Sequence, residues 1–320
     1  MKCIPLKNIL IALCAISLGI LPLGAIPQDA GSTGFNQLKN VFSARAVAMG
    51  QALTGIDKNP DGVFFNPAAI IRMERKELGS TYTNFFLDSQ GGQLQYLAPK
   101  NKYTAWGFAI KYMDWGSFDA YGVDEEQSPV DLNRSFGAHN FIASASLAKY
   151  LSPMIDAGAS FKVVYDQLDD KYAAAVLLDV GMIHHPENEK VKVGASVRNL
   201  GYQFLHYTDA RYREGLPLTY AAGISYLLTK DLLGALDISM AKGENLVAKV
   251  GIEYAVQPAL KLRMGLRSDA ADQRVGGSWG WSSGLSLGAG WKWRSNRIDY
   301  GLSSYGDLGM IHQVSLAHEF

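Results

Sequence analysis

The sequence predicts an all-β protein: a transmembrane antiparallel β-barrel of about fourteen strands, preceded by a small plug or lid segment. Three observations predict it. From Glu77 onward the chain is a series of segments in which apolar and polar residues alternate, with no helical periodicity between them. Side chains alternate sides along a strand, so each segment is apolar on one face and polar or small on the other, as a barrel with lipid outside and water inside requires. The links between segments alternate short and long, and the last segment ends on Phe320.

Taken in chain order, Lys2 and Lys7 flank the amino terminus, Ile9 to Leu21 form an apolar stretch, and Leu23-Gly24-Ala25 precedes Ile26. Residues 1–25 are therefore expected to be a cleaved export signal. The apolar stretch is short for a spanning helix, and no second long one follows. A lipoprotein signal would place a small residue before Cys14, where Leu13 stands. Both cysteines, Cys3 and Cys14, lie inside the signal, which removes disulfides, thiolate metal sites and cysteine catalysis from the remainder. Basic and acidic residues balance at 30 each. Removing Lys2 and Lys7 leaves 28 against 30, a balance that gives no sign of nucleic-acid binding. The mean hydropathy of −0.02 suits a barrel, where only alternate residues meet lipid.

Residues 26–76 form the expected plug or lid. Val41 to Thr54 is rich in alanine and suits a short helix, and residues 57–62 are dense in turn formers. In Phe64-Phe65-Asn66-Pro67-Ala68, Pro67 pushes Asn66 out of helical geometry and suits the first turn of a short helix. Arg45 sits in an apolar run, so its guanidinium is expected to meet a lumen carboxylate or plug carbonyls, with Asn66 tying down a nearby turn.

Residues 77–320 form the expected barrel, with strands over 78–88, 91–98, 103–116, 136–151, 154–168, 171–184, 190–199, 217–228, 232–242, 246–257, 259–268, 281–293, 296–304 and 311–320. Trp106, Phe108, Ile110 and Tyr112 alternate with Ala105, Gly107, Ala109 and Lys111. Leu262, Met264 and Leu266 alternate with Lys261, Arg263, Gly265 and Arg267. The charged sets, with Lys162, Lys192, Arg198, Lys249 and Lys292, are expected to line the lumen, because a cation facing lipid at mid-depth costs about 2–4 kcal/mol. The even links are all short, whereas 117–135, 200–216 and 269–280 are long, which assigns the short ones to the periplasm and the long ones to the outside. Trp291, Trp293, Tyr300, Tyr150 and Tyr226 lie toward strand ends, as an interfacial girdle requires. A soluble, secreted all-β protein is the alternative that alternation alone leaves open.

The run Ala44-Arg45-Ala46, then Met49-Gly50, then Asn66-Pro67-Ala68, resembles the opening of the PorV/PorQ family of outer-membrane proteins. Tyr82-Thr83-Asn84-Phe85-Phe86, the segment 112–118, Arg198-Asn199-Leu200-Gly201 and the segment 213–218 are similar to the PorQ branch. Gln51 departs from the pattern, which has a second glycine there. The resemblance implies a FadL-like barrel of fourteen strands and a part in type IX protein secretion, with a PorZ-like sortase component held at the cell surface. Under that reading the partner surface is formed by Phe118, Tyr121, Tyr202, Phe204, Tyr207, Arg211, Tyr212, Arg213 and Trp279 in the outside loops, aromatic and arginine residues being common at hot spots. The other contacts expected are outer-membrane lipid and lipopolysaccharide. The alternative function is FadL-like transport of hydrophobic small molecules across the outer membrane. Phe320 is expected to serve as a carboxyl-terminal assembly signal.

No enzyme and no cofactor are expected. His184-His185 adjoins the turn at Pro186-Glu187-Asn188 and reads as solvated. Asp124-Glu125-Glu126, Asp169-Asp170 and Asp269 with Asp272 lack the spacing of a calcium loop. Ser282-Ser283-Gly284 lacks the strand-turn-helix setting of a nucleophile elbow. Residues 276–280 are glycine-rich but carry no phosphate-loop lysine.

Overall fold

The computed structural model describes residues 33–86, 89–124, 128–269 and 277–320; the expected export signal, 1–25, lies outside them. Fourteen strands run β1 Glu77–Asn84, β2 Gln90–Asn101, β3 Thr104–Val123, β4 Pro129–Ser152, β5 Ile155–Leu168, β6 Lys171–His184, β7 Val191–Leu205, β8 Thr219–Thr229, β9 Leu232–Ala241, β10 Val247–Gln257, β11 Leu260–Arg267, β12 Leu285–Trp293, β13 Asn296–Ser304 and β14 Met310–Glu319. Each pairs antiparallel with its sequence neighbour, and β1 closes on β14 from Glu77↔Glu319 to Asn84↔His312. Closure leaves no unpaired sheet edge around the barrel.

Alternation fixes which face is which. On β3, Trp106, Phe108, Ile110 and Tyr112 are 40–48% exposed while Ala105, Ala109 and Lys111 between them are at most 6% exposed. Leu262 and Met264 face out around a buried Arg263. The barrel thus carries an apolar exterior and a polar interior. Among the described residues no helix is long and apolar enough to cross a membrane.

The six even links, from 102–103 to 294–295, are short and gather at one end, the turn rim. At the other, the loop rim, the largest departure from expectation is 117–135. Most of it is strand: β3 and β4 continue as a ribbon joined by residues 124–128. β2 leaves β3 at Asp114 and β5 leaves β4 at Ala138, so beyond those points the ribbon strands pair only with each other. Phe118 packs on Phe136 across them at 5.7 Å. The periodicity there was masked by bulges at 114/117 and 119/121, which shift the alternation out of phase. Likewise β7 extends to Leu205, so the next link is 206–218, and residues 270–276 of the link 268–284 lie outside the described residues.

Residues 33–76 occupy the lumen. The alanine-rich run forms one helical turn and a half, Ala44–Ala48, where a helix over 41–54 is expected; Ser43 caps it, its Oγ accepting from the Ala46 amide at 3.1 Å. A second short helix, Gly62–Phe65, leads to Asn66, whose side-chain Oδ1 caps the 3-10 turn Pro67–Ile70 by accepting from the Ala68 amide. The fit to the wall depends on inward glycines. A Cβ on Gly194 would stand 1.9 Å from the Thr54 carbonyl, one on Gly265 2.0 Å from the Gly50 amide, and one on Gly301 2.4 Å from the Ala44 carbonyl. Gly158, Gly181 and Gly251 meet plug atoms as closely. At Gly194, Gly265 and Gly301 the wall therefore touches plug backbone directly, without an intervening side chain.

Candidate functional site

Two sets of lumen cations hold the plug and line a cavity beside it. The first lies toward the turn rim. Arg45 donates from Nε to Glu253 Oε2 and from Nη1 to Asn59 Oδ1, both at 3.0 Å. Glu253 also accepts from Lys261 and from Arg263 Nε at 2.8 Å. Arg263 reaches Asp299 at 2.6 Å, and Arg297 joins Asp299 to Glu77. Burial lowers the Arg45 pKa, but Glu253 more than offsets this and holds it above its ordinary value. Asp61 beside it is pushed up by burial, with Arg45 and Ser43 opposing.

A second pin crosses to β5 and β6. Arg72 Nε donates to Asp156 Oδ2 at 2.5 Å, and His185 Nε2 stands 2.7 Å from the same oxygen. His185 is 7% exposed, so the solvated turn expected for it is corrected: the ring is buried because Asp156 needs a second partner beneath the plug. His184 contacts the Met154 carbonyl. Tyr150 is also reassigned from the girdle: its ring lies under Arg72 at 5.3 Å, facing the plug, because it is in phase with the inward Ser144, Ser146 and Ala148 of β4. Trp291, Trp293, Tyr300 and Tyr226 face outward as expected.

The family-motif residues fall at these contacts. Ala44, Ala46, Met49 and Ala68 are fully buried, and Pro67 with them. Asn66 donates to the Thr54 and Met182 carbonyls, joining plug to β6. Gly50 and Gln51 both adopt left-handed backbone, at φ 59° and 64°. The position where the resembled family has glycine is thus one where glycine is the unstrained choice.

The second set of cations lies on the loop-rim side of the plug, around a cavity of about 260 Å³. Lys111 from β3, Arg198 from β7 and Lys249 from β10 line it with Val41, Val47, Phe64, Phe65 and Ile311. Lys111 Nζ donates to the Asn40 carbonyl at 3.2 Å and stands 3.7 Å over the Phe64 ring. Arg198 Nη1 donates to the Phe64 carbonyl, while its Nε has no hydrogen-bond partner among the described residues. Above the cavity, Thr33 bridges to Gly215, and Phe35 and Leu38 pack with Tyr207 and Leu216 against β4, β5 and β6.

The nine residues expected to form one partner surface are not brought together. Phe118 and Tyr121 lie on the β3–β4 ribbon, and Tyr202 and Phe204 on β7, so these four are in strands rather than loops. Arg213 lies over the Tyr202 ring, Arg211 and Tyr212 are exposed in the 206–218 link, and Trp279 donates its amide to Asp307. Tyr207 turns inward, where burial and the neighbouring Asp166 push its phenol pKa up. Sequence reasoning missed Trp281, 68% exposed and stacked on Trp279, because it was assigned to a strand. Phe320 donates its amide to Lys76 at the turn rim and sets its ring against His318.

The fold, a closed barrel of fourteen antiparallel strands, is similar to that of FadL-type outer-membrane barrels. Three solved structures carry that likeness: a deletion mutant of the monoaromatic hydrocarbon channel TodX (12% identity, TM-score 0.62, 87% of this chain and 99% of that one), the Ralstonia pickettii toluene transporter TbuX (12%, 0.59, 87% and 98%), and a Pseudomonas aeruginosa FadL homologue (11%, 0.53, 88% and 99%). At such identities the likeness is one of fold. No protein-family model matches the chain. No curated protein matches it in sequence.

Proposed function

We propose that this is a non-enzymatic outer-membrane barrel that admits a small molecule with apolar surface into its lumen from the loop side and passes it when the plug shifts. The observation that carries the reading is the cavity of about 260 Å³ above the plug, where Phe64, Phe65 and aliphatic side chains form an apolar part of a wall that also carries Lys111, Arg198 and Lys249. The barrels of like fold, matched over nearly their whole length, include channels named for hydrocarbons and toluene, which supports the same reading. The test is flux. The protein in lipid vesicles should take up labelled toluene well above protein-free vesicles, and uptake equal to the control would overturn the proposal.

A second reading, a type IX secretion component that anchors a PorZ-like partner at the surface, is favoured by the β3–β4 ribbon. Phe118, Tyr121 and Val123 are 43%, 63% and 68% exposed there, beyond the last strands that pair with it. Removing residues 117–135 should then release the partner into the medium while the barrel still assembles. Retention of the partner on cells would count against the anchor.

A further inference from the structure

We propose that the turn rim carries a docking recess for an acidic segment of a periplasmic protein, seated between the plug and the ends of β12, β13, β14 and β1. The recess shares no lining residue with the cavity above the plug, so the proposal stands apart from what the lumen passes.

The recess, about 490 Å³, is lined by six cations, Lys58, Arg72, Arg75, Lys292, Arg294 and Arg297, against three acids, Glu74, Glu77 and Glu319. Each acid is already engaged. Glu77 holds Arg297 at 3.0 Å, Glu319 holds Lys292 at 2.6 Å, and Glu74 holds Lys58 at 2.8 Å. Two acids behind the lining complete the inner pairs: Asp156 takes Arg72 at 2.5 Å, and Asp299 shares Arg297 at 2.8 Å. That leaves Arg75 and Arg294. The one acid near Arg75 among the described residues is Glu319 at 4.0 Å, which Lys292 occupies. Arg294, in the β12–β13 turn, has no ion pair among the described residues and rests 5.3 Å over the Trp293 ring. Lys58 and Glu74 are both exposed, and a pair of that kind is weak enough to exchange for another anion.

Side and sign select the partner. The short links place this rim in the periplasm. Lys292 and Arg297 alternate with the outward Trp291, Trp293 and Ile298, so they point inside the rim, where the bilayer around the wall does not reach. A lipid headgroup is therefore a poor fit, and a chain arriving from the periplasm is a good one. The loop rim has the opposite sign: Asp119, Asp131 and Asp209 are exposed there without an ion pair among the described residues. Charge of this polarity draws an acidic partner to the turn rim and turns it away from the loops. Carboxylates spaced along an extended segment can meet Lys58, Arg75 and Arg294 in turn, each arginine offering a fork of donors.

The experiment uses the full chain in nanodiscs of neutral lipid and a fluorescein-labelled hexaglutamate peptide, read by anisotropy. The peptide should bind, hexalysine should not, and added salt should weaken binding. Arg75→Glu with Arg294→Glu should weaken it about tenfold or more, and Arg75→Lys with Arg294→Lys should keep most of it. Lys171→Glu with Lys242→Glu makes the same change of charge on the loop rim and should leave binding as it is. Heat-modifiable migration reports barrel assembly in each variant. Failure of hexaglutamate to bind overturns the proposal. So does equal weakening by the two reversed pairs, since net charge and not the recess would then be acting. Free glutamate competing as well per carboxylate removes the segment as occupant. Loss of peptide binding in nanodiscs that carry phosphatidylglycerol overturns the proposal by making the bilayer the occupant.

Discussion

The two cation sets face the same plug from opposite sides and differ in how closely acids meet them. Toward the turn rim Arg45, Arg263 and Arg297 alternate with Glu253, Asp299 and Glu77 in a continuous chain of short contacts. Toward the loop rim Lys111 and Arg198 meet carbonyls and rings, and Lys249 stands across from Asp237 with no acid within 4.0 Å among the described residues. A lumen lysine or arginine is therefore not a single kind of residue. Where an acid bonds a cation directly, the pair fixes the plug; where none does, charge is available for something that enters.

The sharpest way to break that distinction is Glu253→Ala. It leaves Arg45, Lys261 and Arg263 facing each other, and removing one partner of a buried pair typically costs about 3–5 kcal/mol. The variant should lower the unfolding free energy by that much, read from denaturant titration, and expose residues 41–66 to protease. A loss below about 1 kcal/mol would mean that the acids are not what holds the plug. On the other side the sign reverses. Lys249→Met removes a cation with no acid within 4.0 Å among the described residues, and stability should hold or rise by on the order of 1 kcal/mol. A marked loss there would make the two sides alike.

Next in size are the glycines. Gly194→Ala and Gly265→Ala each drive a Cβ into plug backbone, and overpacking of this kind costs about 1–3 kcal/mol. Both should loosen the plug without preventing closure of β1 on β14, read as raised protease sensitivity in a barrel that still migrates as folded. Gln51→Gly runs the other way. Gln51 holds left-handed backbone, and relief of that strain should stabilise by about 1 kcal/mol.

The barrel was legible because its physics is local: period-two alternation and link length are written along each strand, and all fourteen were placed in order. The β3–β4 ribbon was not, because outside the apolar belt nothing keeps the alternation in phase, and two bulges there shift it. The plug was legible at Asn66 and Pro67, where turn chemistry is local. Glycines such as Gly194 and Gly265 carried no such signal, since a glycine in a strand does not say which distant backbone approaches it. The division of the lumen cations was likewise beyond reach. Lys111 and Arg263 look the same in sequence, and only the pairing of β10 with β11 sets Glu253 beside Arg263.

The smallest expected effect lies at the cap above the cavity. Glu214 sits in the 206–218 link against Gly34, and burial, with Asp166 nearby, raises its pKa above the ordinary 4.5. The closed cap therefore holds a proton more readily than the open one. Closure is strongest below the ordinary carboxylate pKa, weakens as pH rises through the raised value, and is level above it. The Gly34 amide, bonded to the Gly215 carbonyl at 2.9 Å, reports the contact. Its hydrogen-exchange protection factor, corrected for intrinsic rate, should be higher by a few-fold in acid than at neutral pH, and Glu214→Gln should flatten the profile at the higher level. A flat profile in the unaltered protein would show that Glu214 does not sense closure and that the cap is as indifferent to charge as the ring contacts of Phe35 beside it.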